Sequence, residues 1–549
     1  MNRAQKITPW LLALLCASPT MAATSTRVVS GQTSAANAWP YIMHIVDDRE
    51  SSLMGRHYCG GGYLGDGLAV TARHCVFTDL ILGQKICIGN QHTLNRNNCY
   101  AITAYRKFDN NEALALTGTS QISGDIALLQ LASVPAQMPM LPLPTAEQDS
   151  NIVAGERLTA LGYGSTSYAS YRPSTWLQQL DITAASTAEC AGVYADSTGV
   201  LTQDSLCSQA ATVGSAPGDS GTPIMFWRNN SPIAAGLVSE GVNQNTRYVR
   251  YPLYYSWLAQ VASEWRQSSA ASTSYYHLIT DEATPTATLT LRNWNNATAS
   301  LTATPDSASS LLSIAAGQCQ NLAPMATCDL AVTLKPTTYG RNQATLTYQI
   351  GTWQQQLTLI TDNGNLLATP ASWSVPDSQW WTSAAGTPWV AQSLSDGTEA
   401  LAINNLVDGD YSELAMQVTG PGTLAFNLAT ADTGNLAGVM VKVDDKEQRL
   451  LNNGCLDQGY SLTIPAGSHK ISWLAYNHAG STTGTLATLS KVSWPNGSSY
   501  SADPVCSMAS TGGGLPSTGD SSSSSGGGTL SWPVLGLLTG LAFWRRRRV

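Results

Sequence analysis

The most regular hydrophobic pattern in this chain is short-range alternation of apolar and polar residues. Residues 287–291 and 344–348 alternate alanine, leucine or tyrosine with threonine, as strands with one buried face do. Short apolar runs at 68–71 and 233–239 predict further strands, whereas residues 252–265 look helical. The pattern therefore predicts an all-β chain, and 549 residues are too many for one domain.

Two apolar segments at the ends of the chain do not fit the alternation. Residues 1–23 combine two basic residues, an apolar run at 10–17 and a final Met-Ala-Ala, which is the pattern of a secretory signal peptide cleaved after Ala23. The run 529–544 is followed by four arginines. As a helix it would extend about 24 Å, somewhat short of a hydrocarbon core of about 30 Å.

Three short motifs supply the residue types needed for nucleophilic catalysis. Ser220 lies in Ala-Pro-Gly-Asp-Ser-Gly-Thr-Pro, His74 in Thr-Ala-Arg-His-Cys and Asp125 in Asp-Ile-Ala-Leu-Leu. A serine hydroxyl becomes a good nucleophile when a neighbouring imidazole removes its proton, and a carboxylate orients that imidazole. Each motif alone is weak, because turns favour these residue types, but the three together predict a catalytic triad.

The order His, Asp, Ser and the surrounding residues resemble the chymotrypsin/trypsin-like serine proteases. The resemblance implies two small antiparallel barrels with the site between them and a serine endopeptidase. No cofactor or metal is implied, because the seven histidines show no ligand spacing. The resemblance further implies that His74 is the base, that Asp125 orients it, and that the N–H groups of Gly218 and Ser220 bind the oxyanion.

The same resemblance implies that the protein is made as a zymogen. Residues 27–31 (Arg-Val-Val-Ser-Gly) resemble the activation junction of the family. Cleavage after Arg27 by an activating protease would free the amino group of Val28, which we expect to pair with Asp219. The alternative is that Arg27 is only a basic residue in a processed segment.

The cysteine count predicts disulfides in a secreted protein. Eleven cysteines are present, and removal of Cys16 with the signal peptide leaves an even number. The sequence does not fix their connectivity. The family resemblance and proximity imply the pairs Cys59–Cys75, Cys190–Cys207, Cys87–Cys99, Cys319–Cys328 and Cys455–Cys506.

Alignment to the family places Gly214 at the base of the primary specificity pocket. Trypsin-type enzymes have an aspartate there, so its absence favours apolar P1 side chains. The resemblance puts Ser215 beside the base and Ser239, Glu240 and Gly241 on the wall. Glu240 replaces the usual tryptophan, and an open alternative is that it faces the pocket and attracts a basic side chain.

The rest of the chain resembles modules of bacterial exoproteins. Residues 272–365 resemble an immunoglobulin-like β-sandwich, and residues 366–507 a jelly-roll-like module rich in tryptophan. The tail resembles the glycine-pair sorting tails of Gram-negative bacteria, which a rhombosortase-type protease cuts. Proteins with such tails generally travel by type II secretion, and some are retained at the cell surface. The predicted segments are the signal peptide 1–23, propeptide 24–27, protease domain 28–268, sandwiches 272–365 and 366–507, Ser/Gly linker 508–528 and tail 529–549.

Charge and tryptophan content limit the partners. The formal net charge of −8 argues against nucleic-acid binding, which needs a basic surface. Trp380 and Trp381 could fill a core or stack on glycans, and burial is the commoner state of large aromatics. We therefore expect protein or peptide substrates outside the cell or at its surface. The alternative is a surface adhesin or glycan-binding protein with a vestigial protease domain.

Overall fold

The computed structural model describes most of the chain between residues 31 and 494. The residues that it does not describe within this span are 36–37, 48–56, 77–78, 90–92, 94–97, 110–121, 133–137, 166–172, 197–198, 210–213, 243–244, 268–272, 281–284, 306–311, 336–340, 376–377, 432–436, 452–457 and 478–483.

The first six-stranded sheet closes into a barrel. After the short β1 (Gln32–Thr33), its strands are β2 (Ile42–Val46), β3 (His57–Gly65), β4 (Leu68–Thr71), β5 (Lys85–Ile88), β6 (Cys99–Lys107) and β7 (Ala127–Leu131), in the order β2-β3-β4-β7-β6-β5. All four residues of β4 are buried, as expected for a strand covered on both faces. The predicted strand at 68–71 is confirmed.

A second group of six strands also forms a closed ring. Its strands are β8 (Arg157–Gly162), β9 (Gln178–Ala184), β10 (Ser205–Gln209), β11 (Pro223–Arg228), β12 (Ser231–Val242) and β13 (Asn245–Arg250). The ring closes because β8 pairs with both β11 and β9, while β1 pairs with the first two residues of β9. The run 233–239 lies inside β12. The predicted two-barrel, all-β fold is confirmed.

Helices are few and short. They are α1 (Ala146–Ser150), α2 (Thr187–Tyr194), α3 (Tyr255–Gln267) and 3₁₀ turns at Arg73–Cys75, Asp79–Gly83 and Pro252–Tyr254. Thr145 and Ser186 begin α1 and α2 with reciprocal capping boxes, which satisfy backbone N–H groups that a helix start leaves open. The expected helical stretch at 252–265 is the last 3₁₀ turn followed by α3.

Residues 273–366 form two facing layers of strands. The strands are β14 (Thr273–Ile279), β15 (Thr286–Arg292), β16 (Leu301–Pro305), β17 (Leu312–Ile314), β18 (Thr327–Leu334), β19 (Asn342–Ile350) and β20 (Trp353–Leu366). One layer is β15-β18-β17 and the other contains β16-β19-β20, with β14 parallel to β20. Along β19 the alternate residues Ala344, Leu346, Tyr348 and Ile350 are buried, so the alternation in the sequence marks the inner face.

The remaining strands extend the second of these layers. They are β21 (Trp380–Ser383), β22 (Val390–Ser393), β23 (Glu399–Asn404), β24 (Tyr411–Thr430), β25 (Ala437–Val443), β26 (Lys446–Leu451), β27 (Gln458–Asn477) and β28 (Thr485–Ser493). The end of β20 pairs with β21, so hydrogen bonding runs across the predicted boundary at 365. The long strands β24 and β27 pair along nearly their whole length and enclose a core that contains Trp389, Phe426 and Trp473.

Hydrophobic packing continues from the barrels into residues 292–355. Trp257 and Tyr251 of the second barrel region share one cluster of buried side chains with Trp294, Met325 and Trp353. The strands after residue 272 are therefore packed against the barrels rather than attached by a linker alone.

Candidate active site

The first barrel brings His74 against Asp125. His74 lies in the turn after β4, and Asp125 lies just before β7, which pairs with β4. His74 Nδ1 is 2.9 Å from Asp125 Oδ2, and the backbone N–H of His74 donates to Oδ1 at 2.9 Å. Because an ionised carboxylate only accepts hydrogen bonds, Nδ1 carries the proton and Nε2 is left as a base.

Asp125 is held in its ionised form by its neighbours. Burial alone would raise its pKa. The hydrogen bond and charge of His74, the hydroxyl of Ser239 and the backbone N–H of His74 outweigh burial and lower the pKa of Asp125 below its ordinary value. Ser239 Oγ donates to Asp125 Oδ2 at 2.6 Å. Sequence alignment assigned Ser239 to the pocket wall, and the structure places its hydroxyl against the Asp125 carboxylate.

Ser220 lies on a tight turn between the barrels, before β11. Its carbonyl oxygen accepts a hydrogen bond of 2.8 Å from the N–H of Gly60 in β3, and Cys75 Sγ lies 3.7 Å from the same oxygen. Ser220 therefore lies beside Cys75, the residue that follows His74 in the sequence. Gly221 has a φ of 79°, and a Cβ there would come within 2.6 Å of the Gly60 carbonyl. Only glycine lets the turn approach this closely.

Two polar contacts shape the region of the predicted pocket. The N–H of Ser215 donates to Thr246 Oγ1 at 3.0 Å, and the two hydroxyls are 2.9 Å apart. A Cβ on Gly241 would lie 3.3 Å from Ser215 Oγ. Gly214 is buried. The structure thus places Ser215 near Gly241 and adds Thr246, whose side chain is fully buried.

Glu240 forms an ion pair within the protein. Its Oε1 lies 2.9 Å from Nε of Arg247 on the neighbouring strand, and the side chains are 50% and 12% exposed respectively. The negative charge of Glu240 is therefore compensated by Arg247, and this argues against the alternative that it attracts a basic P1 side chain.

The comparison with protein families decides the class of this site. Residues 28–262 match the family model described as Trypsin. Residues 28–262 belong to the trypsin family of serine proteases. The chain is 25% identical over 265 residues to tryptase of Mus musculus, covering 46% of this chain and 94% of tryptase. It is also 25% identical over 220 residues to brachyurin of Leptuca pugilator, covering 39% of this chain and 86% of brachyurin.

Solved structures of similar proteins include two from Vibrio cholerae. The secreted serine protease VesC is 22% identical with a TM-score of 0.35, over 84% of this chain and 98% of VesC. The protease VesB is 20% identical with a TM-score of 0.36, over 61% of this chain and 99% of VesB. The trypsin-family match and the curated relatives make this chain a trypsin-like serine endopeptidase.

Asp219 of the trypsin domain is a buried carboxylate next to Ser220 in the sequence. It is fully buried, and accepts hydrogen bonds from the N–H groups of Gly164 at 2.7 Å and Ala216 at 2.8 Å. Burial raises the pKa of Asp219 to about 7 despite these donors. Cβ atoms on Gly162 and Gly164 would come within 2.6 Å of its side chain, so this carboxylate fits tightly among glycines. The predicted partner Val28, and Arg27 before it, lie outside the described residues.

Four disulfides are present among the described residues. They join Cys59 to Cys75, Cys87 to Cys99, Cys190 to Cys207 and Cys319 to Cys328, which are four of the pairs implied by the resemblance. Cys455 and Cys506 lie outside the described residues. Gly218, predicted to line the oxyanion hole with Ser220, has a φ of 103°, and its role remains a prediction.

Several residues near the site were not identified from the sequence. Asp204 accepts hydrogen bonds from the N–H and hydroxyl of Ser123, and the hydroxyl of Tyr254 donates to Asp204 while accepting from the N–H of Gly124. These contacts hold the two residues before Asp125. They join positions 50 to 130 residues apart, so no local motif could have indicated them.

The tryptophans proposed as an alternative glycan surface are buried. Trp380 and Trp381 are 2% and 3% exposed. Successive residues of a strand face opposite sides, and these two accordingly join separate cores. Four further tryptophans among the described residues of this module are no more than 8% exposed: Trp373, Trp389, Trp473 and Trp494. This favours the prediction that they fill cores.

Neither a metal site nor a membrane span is seen in the part of the chain that the structure describes. The group there with suitable ligand atoms is Cys59, His74 and Cys75, and the two sulfurs are joined in a disulfide. None of the described helices has the length and apolar character needed to cross a bilayer. The predicted tail at 529–549 lies outside the described residues.

Proposed function

We propose that this chain is a secreted endopeptidase that hydrolyses proteins or peptides through an acyl-enzyme on Ser220. The observation that carries the proposal is the pair His74 and Asp125, with Nδ1 and Oδ2 2.9 Å apart, beside the turn that holds Ser220. Because Nδ1 faces Asp125, Nε2 of His74 is directed away from Asp125, as a general base requires.

The chemistry follows from these roles. His74 Nε2 accepts the Ser220 proton as Oγ bonds to the substrate carbonyl carbon, and the imidazolium then protonates the leaving amine. Water repeats the two proton transfers to release the acid product and restore Ser220. Gly218 and Ser220 donate their N–H groups to the oxyanion, and one such donor typically contributes about 3–4 kcal/mol of transition-state stabilisation.

We further propose that cleavage between Arg27 and Val28 activates the enzyme. A buried carboxylate without a cation is costly, and no ion pair joins Asp219 to any described residue. The ammonium group of Val28 would supply the missing charge and fix the turn that contains Gly218 and Ser220. Activation by a second protease is expected, because the pocket does not favour Arg27 at P1.

Specificity for apolar P1 side chains is supported by three features. Gly214 supplies no charge at the aligned pocket base, Glu240 is neutralised by Arg247, and Thr246 occupies space beside Ser215. A pocket without an unpaired charge gives a basic side chain no partner for the charge that it would have to desolvate.

Export is supported by the signal-peptide pattern and by the four disulfides, which persist in oxidising compartments. The tail pattern favours type II secretion followed by tail processing, with retention at the surface of a Gram-negative cell as the alternative to release. Residues 272–365 and 366–507 would then be β-sandwich modules that travel with the protease.

The test is fluorophosphonate labelling and peptide-library cleavage by the full-length protein before and after cleavage at Arg27. We expect labelling and apolar-P1 cleavage only after Val28 becomes the amino terminus. Ser220→Ala should abolish both, whereas Ser150→Ala, an exposed serine of α1 in the same domain, should leave both unchanged. Cleavage that survives Ser220→Ala, or no labelling despite a verified Val28 terminus, would refute the proposal.

A further inference from the structure

Arg247 is a largely buried cation next to the candidate catalytic residues. It lies on β13 directly opposite Glu240 of β12, and its side chain is 12% exposed. Burying a guanidinium is costly unless it is paired and hydrogen-bonded. Glu240 pairs with Nε at 2.9 Å, and this leaves the Nη atoms to make other contacts.

One of those contacts leads to the catalytic carboxylate. Arg247 Nη2 donates to Ser239 Oγ at 3.4 Å, and Ser239 Oγ donates to Asp125 Oδ2 at 2.6 Å. A hydroxyl has one proton and two lone pairs. Because the Ser239 proton points to Asp125, the guanidinium meets a lone pair of Ser239, and its donation fixes the direction of the hydroxyl.

The remaining neighbours hold the guanidinium in place. Nη1 donates to Thr202 Oγ1 at 3.3 Å, and the guanidinium carbon lies 6.0 Å from the centre of the Tyr194 ring. The Tyr194 hydroxyl in turn donates to the carbonyl oxygen of Asn245 at 2.7 Å. The groups facing Arg247 thus come from α2, the loop before β10, and β12, and Glu240 is the negative charge among them.

We propose that Arg247 is a positioning residue for the catalytic pair, acting through Ser239 on Asp125, and that Glu240 sets how much of its positive charge reaches that pair. This inference rests on the proposed roles of His74, Asp125 and Ser220. Glu240 is half exposed while Arg247 is not, so solvent or substrate that screens Glu240 increases the positive field at Asp125 and His74.

The charges of Arg247 and Glu240 should change the pH dependence of the reaction in opposite directions. A positive charge near His74 disfavours its imidazolium, and a negative charge favours it. The acid limb of the pH profile of kcat/KM reports protonation of the base in the free enzyme. Removing Arg247 should therefore move that limb to higher pH, and removing the charge of Glu240 should move it to lower pH.

The test is the pH dependence of kcat and KM for four activated full-length variants. We expect Arg247→Gln to raise the midpoint of the acid limb, and Glu240→Gln to lower it. Each shift should be about 0.5 to 1 pH unit, the size expected when one partly screened charge near the catalytic pair is removed. The double variant should return close to the wild-type midpoint. Arg247→Lys should keep the midpoint while reducing kcat, because an ammonium lacks the planar fork.

Arg157→Gln serves as the matched control. Arg157 also pairs with a carboxylate in the second barrel, but it is 60% exposed, so its removal should not move the midpoint. Equal midpoints in Arg247→Gln, Glu240→Gln and the active wild type, or shifts of the same sign, would overturn the inference. If Arg247→Gln fails to fold, Glu240→Gln still decides it. An inactive wild type would instead refute the proposed function.

Discussion

The Nε–H group of Arg292 donates a hydrogen bond of 2.7 Å to the carbonyl oxygen of Leu64. Leu64 lies near the end of β3 in the trypsin domain, whereas Arg292 ends β15 of the region that follows. Arg292 also donates to the carbonyl oxygens of Leu141, at 2.7 Å, and Met325. Trp294 Nε1 donates to Asp66 Oδ2 at 2.5 Å close by. These bonds fasten the two regions together.

Replacement of Arg292 by methionine should therefore destabilise the whole molecule. Burial lowers the pKa of Arg292 to about 10, so the side chain remains protonated at neutral pH. Methionine fills part of the space but leaves three carbonyl groups without their donor, at a typical cost of about 1–3 kcal/mol for each unsatisfied group. We expect a fall in Tm of about 5 °C or more in thermal unfolding of the full-length protein.

Arg157→Met provides the comparison for this experiment. Arg157 is exposed and pairs with the exposed carboxylate of Asp181, and such surface pairs contribute about 1 kcal/mol or less. An Arg292→Met variant as stable as Arg157→Met would show that the contacts with Leu64 and Leu141 do not hold the regions together.

Tyr254 lies in the 3₁₀ turn before α3, and its hydroxyl bridges Asp204 and the N–H of Gly124. Tyr254→Phe should loosen the segment that carries Asp125 and lower kcat about tenfold, because small displacements of catalytic groups are costly. KM should change little. Steady-state kinetics on the activated enzyme measure both quantities.

The neighbouring Tyr255 supplies a matched control for this substitution. Its hydroxyl is equally buried but donates to the carbonyl oxygen of Pro144 at 2.5 Å, away from Asp125. Tyr255→Phe should lose stability without a specific loss of kcat. Equal kinetic effects of the two substitutions would contradict a positioning role for Tyr254.

The sequence predicted the catalytic residue types but not the contacts that hold them. His74, Asp125 and Ser220 stand in local motifs, and the buried and alternating runs identified strands such as β4 and β19. In contrast, the hydroxyl of Ser239 donates a hydrogen bond to Asp125, a residue 114 positions away in the sequence. Contacts of this kind depend on strand register and barrel closure, which hydrophobic periodicity does not specify.

The boundary near residue 365 illustrates the same limit. Composition changes there, with tryptophans becoming frequent in the sequence that follows. Yet β20 continues to Leu366, and Leu366 pairs with Trp381 of β21. Composition reports which residues a segment contains, whereas sheet continuity depends on which backbone groups meet, so it could not be inferred from the sequence.

The stability of the uncleaved protein should depend on pH through Asp219. Its pKa is raised by burial to about 7, above the ordinary value of about 3.9 for an unfolded chain. Between these pH values the folded state binds more protons than the unfolded state, so the free energy of unfolding decreases as pH rises. The expected contribution is lost progressively from about pH 4 to about pH 7 and amounts to at most about 4 kcal/mol.

Thermal unfolding of Ser220→Ala, which prevents self-digestion, measures this effect at pH 4.5 and 7.5. Asp219→Asn in the same background should show a smaller fall in Tm between the two pH values, although it is less stable at low pH through a lost backbone hydrogen bond. After cleavage at Arg27, pairing with Val28 should remove or reverse the Asp219 contribution. The same pH dependence with and without Asp219 would contradict the assignment.

A buried ion pair between β24 and β25, in contact with β14, gives the final prediction. Lys442 Nζ lies 2.6 Å from Glu413 Oε1, and both side chains are fully buried. Glu413 also accepts the N–H of Leu278 at 3.0 Å, so this ion pair fastens β14 to β24 and β25. Lys442→Met removes the cation and leaves the buried Glu413 side chain without its partner, at a typical cost of about 3–5 kcal/mol.

The double variant Glu413→Gln/Lys442→Met tests whether the two side chains stabilise the protein as a pair. It removes both charges while glutamine can still accept the Leu278 N–H, so it should recover most of the stability that Lys442→Met alone loses. Lys335→Met, at an exposed position, should change the free energy of unfolding by less than about 0.5 kcal/mol. Denaturant unfolding of the Ser220→Ala protein provides the measurement. If the double variant is as unstable as the sum of the two single variants, Glu413 and Lys442 do not act as a pair.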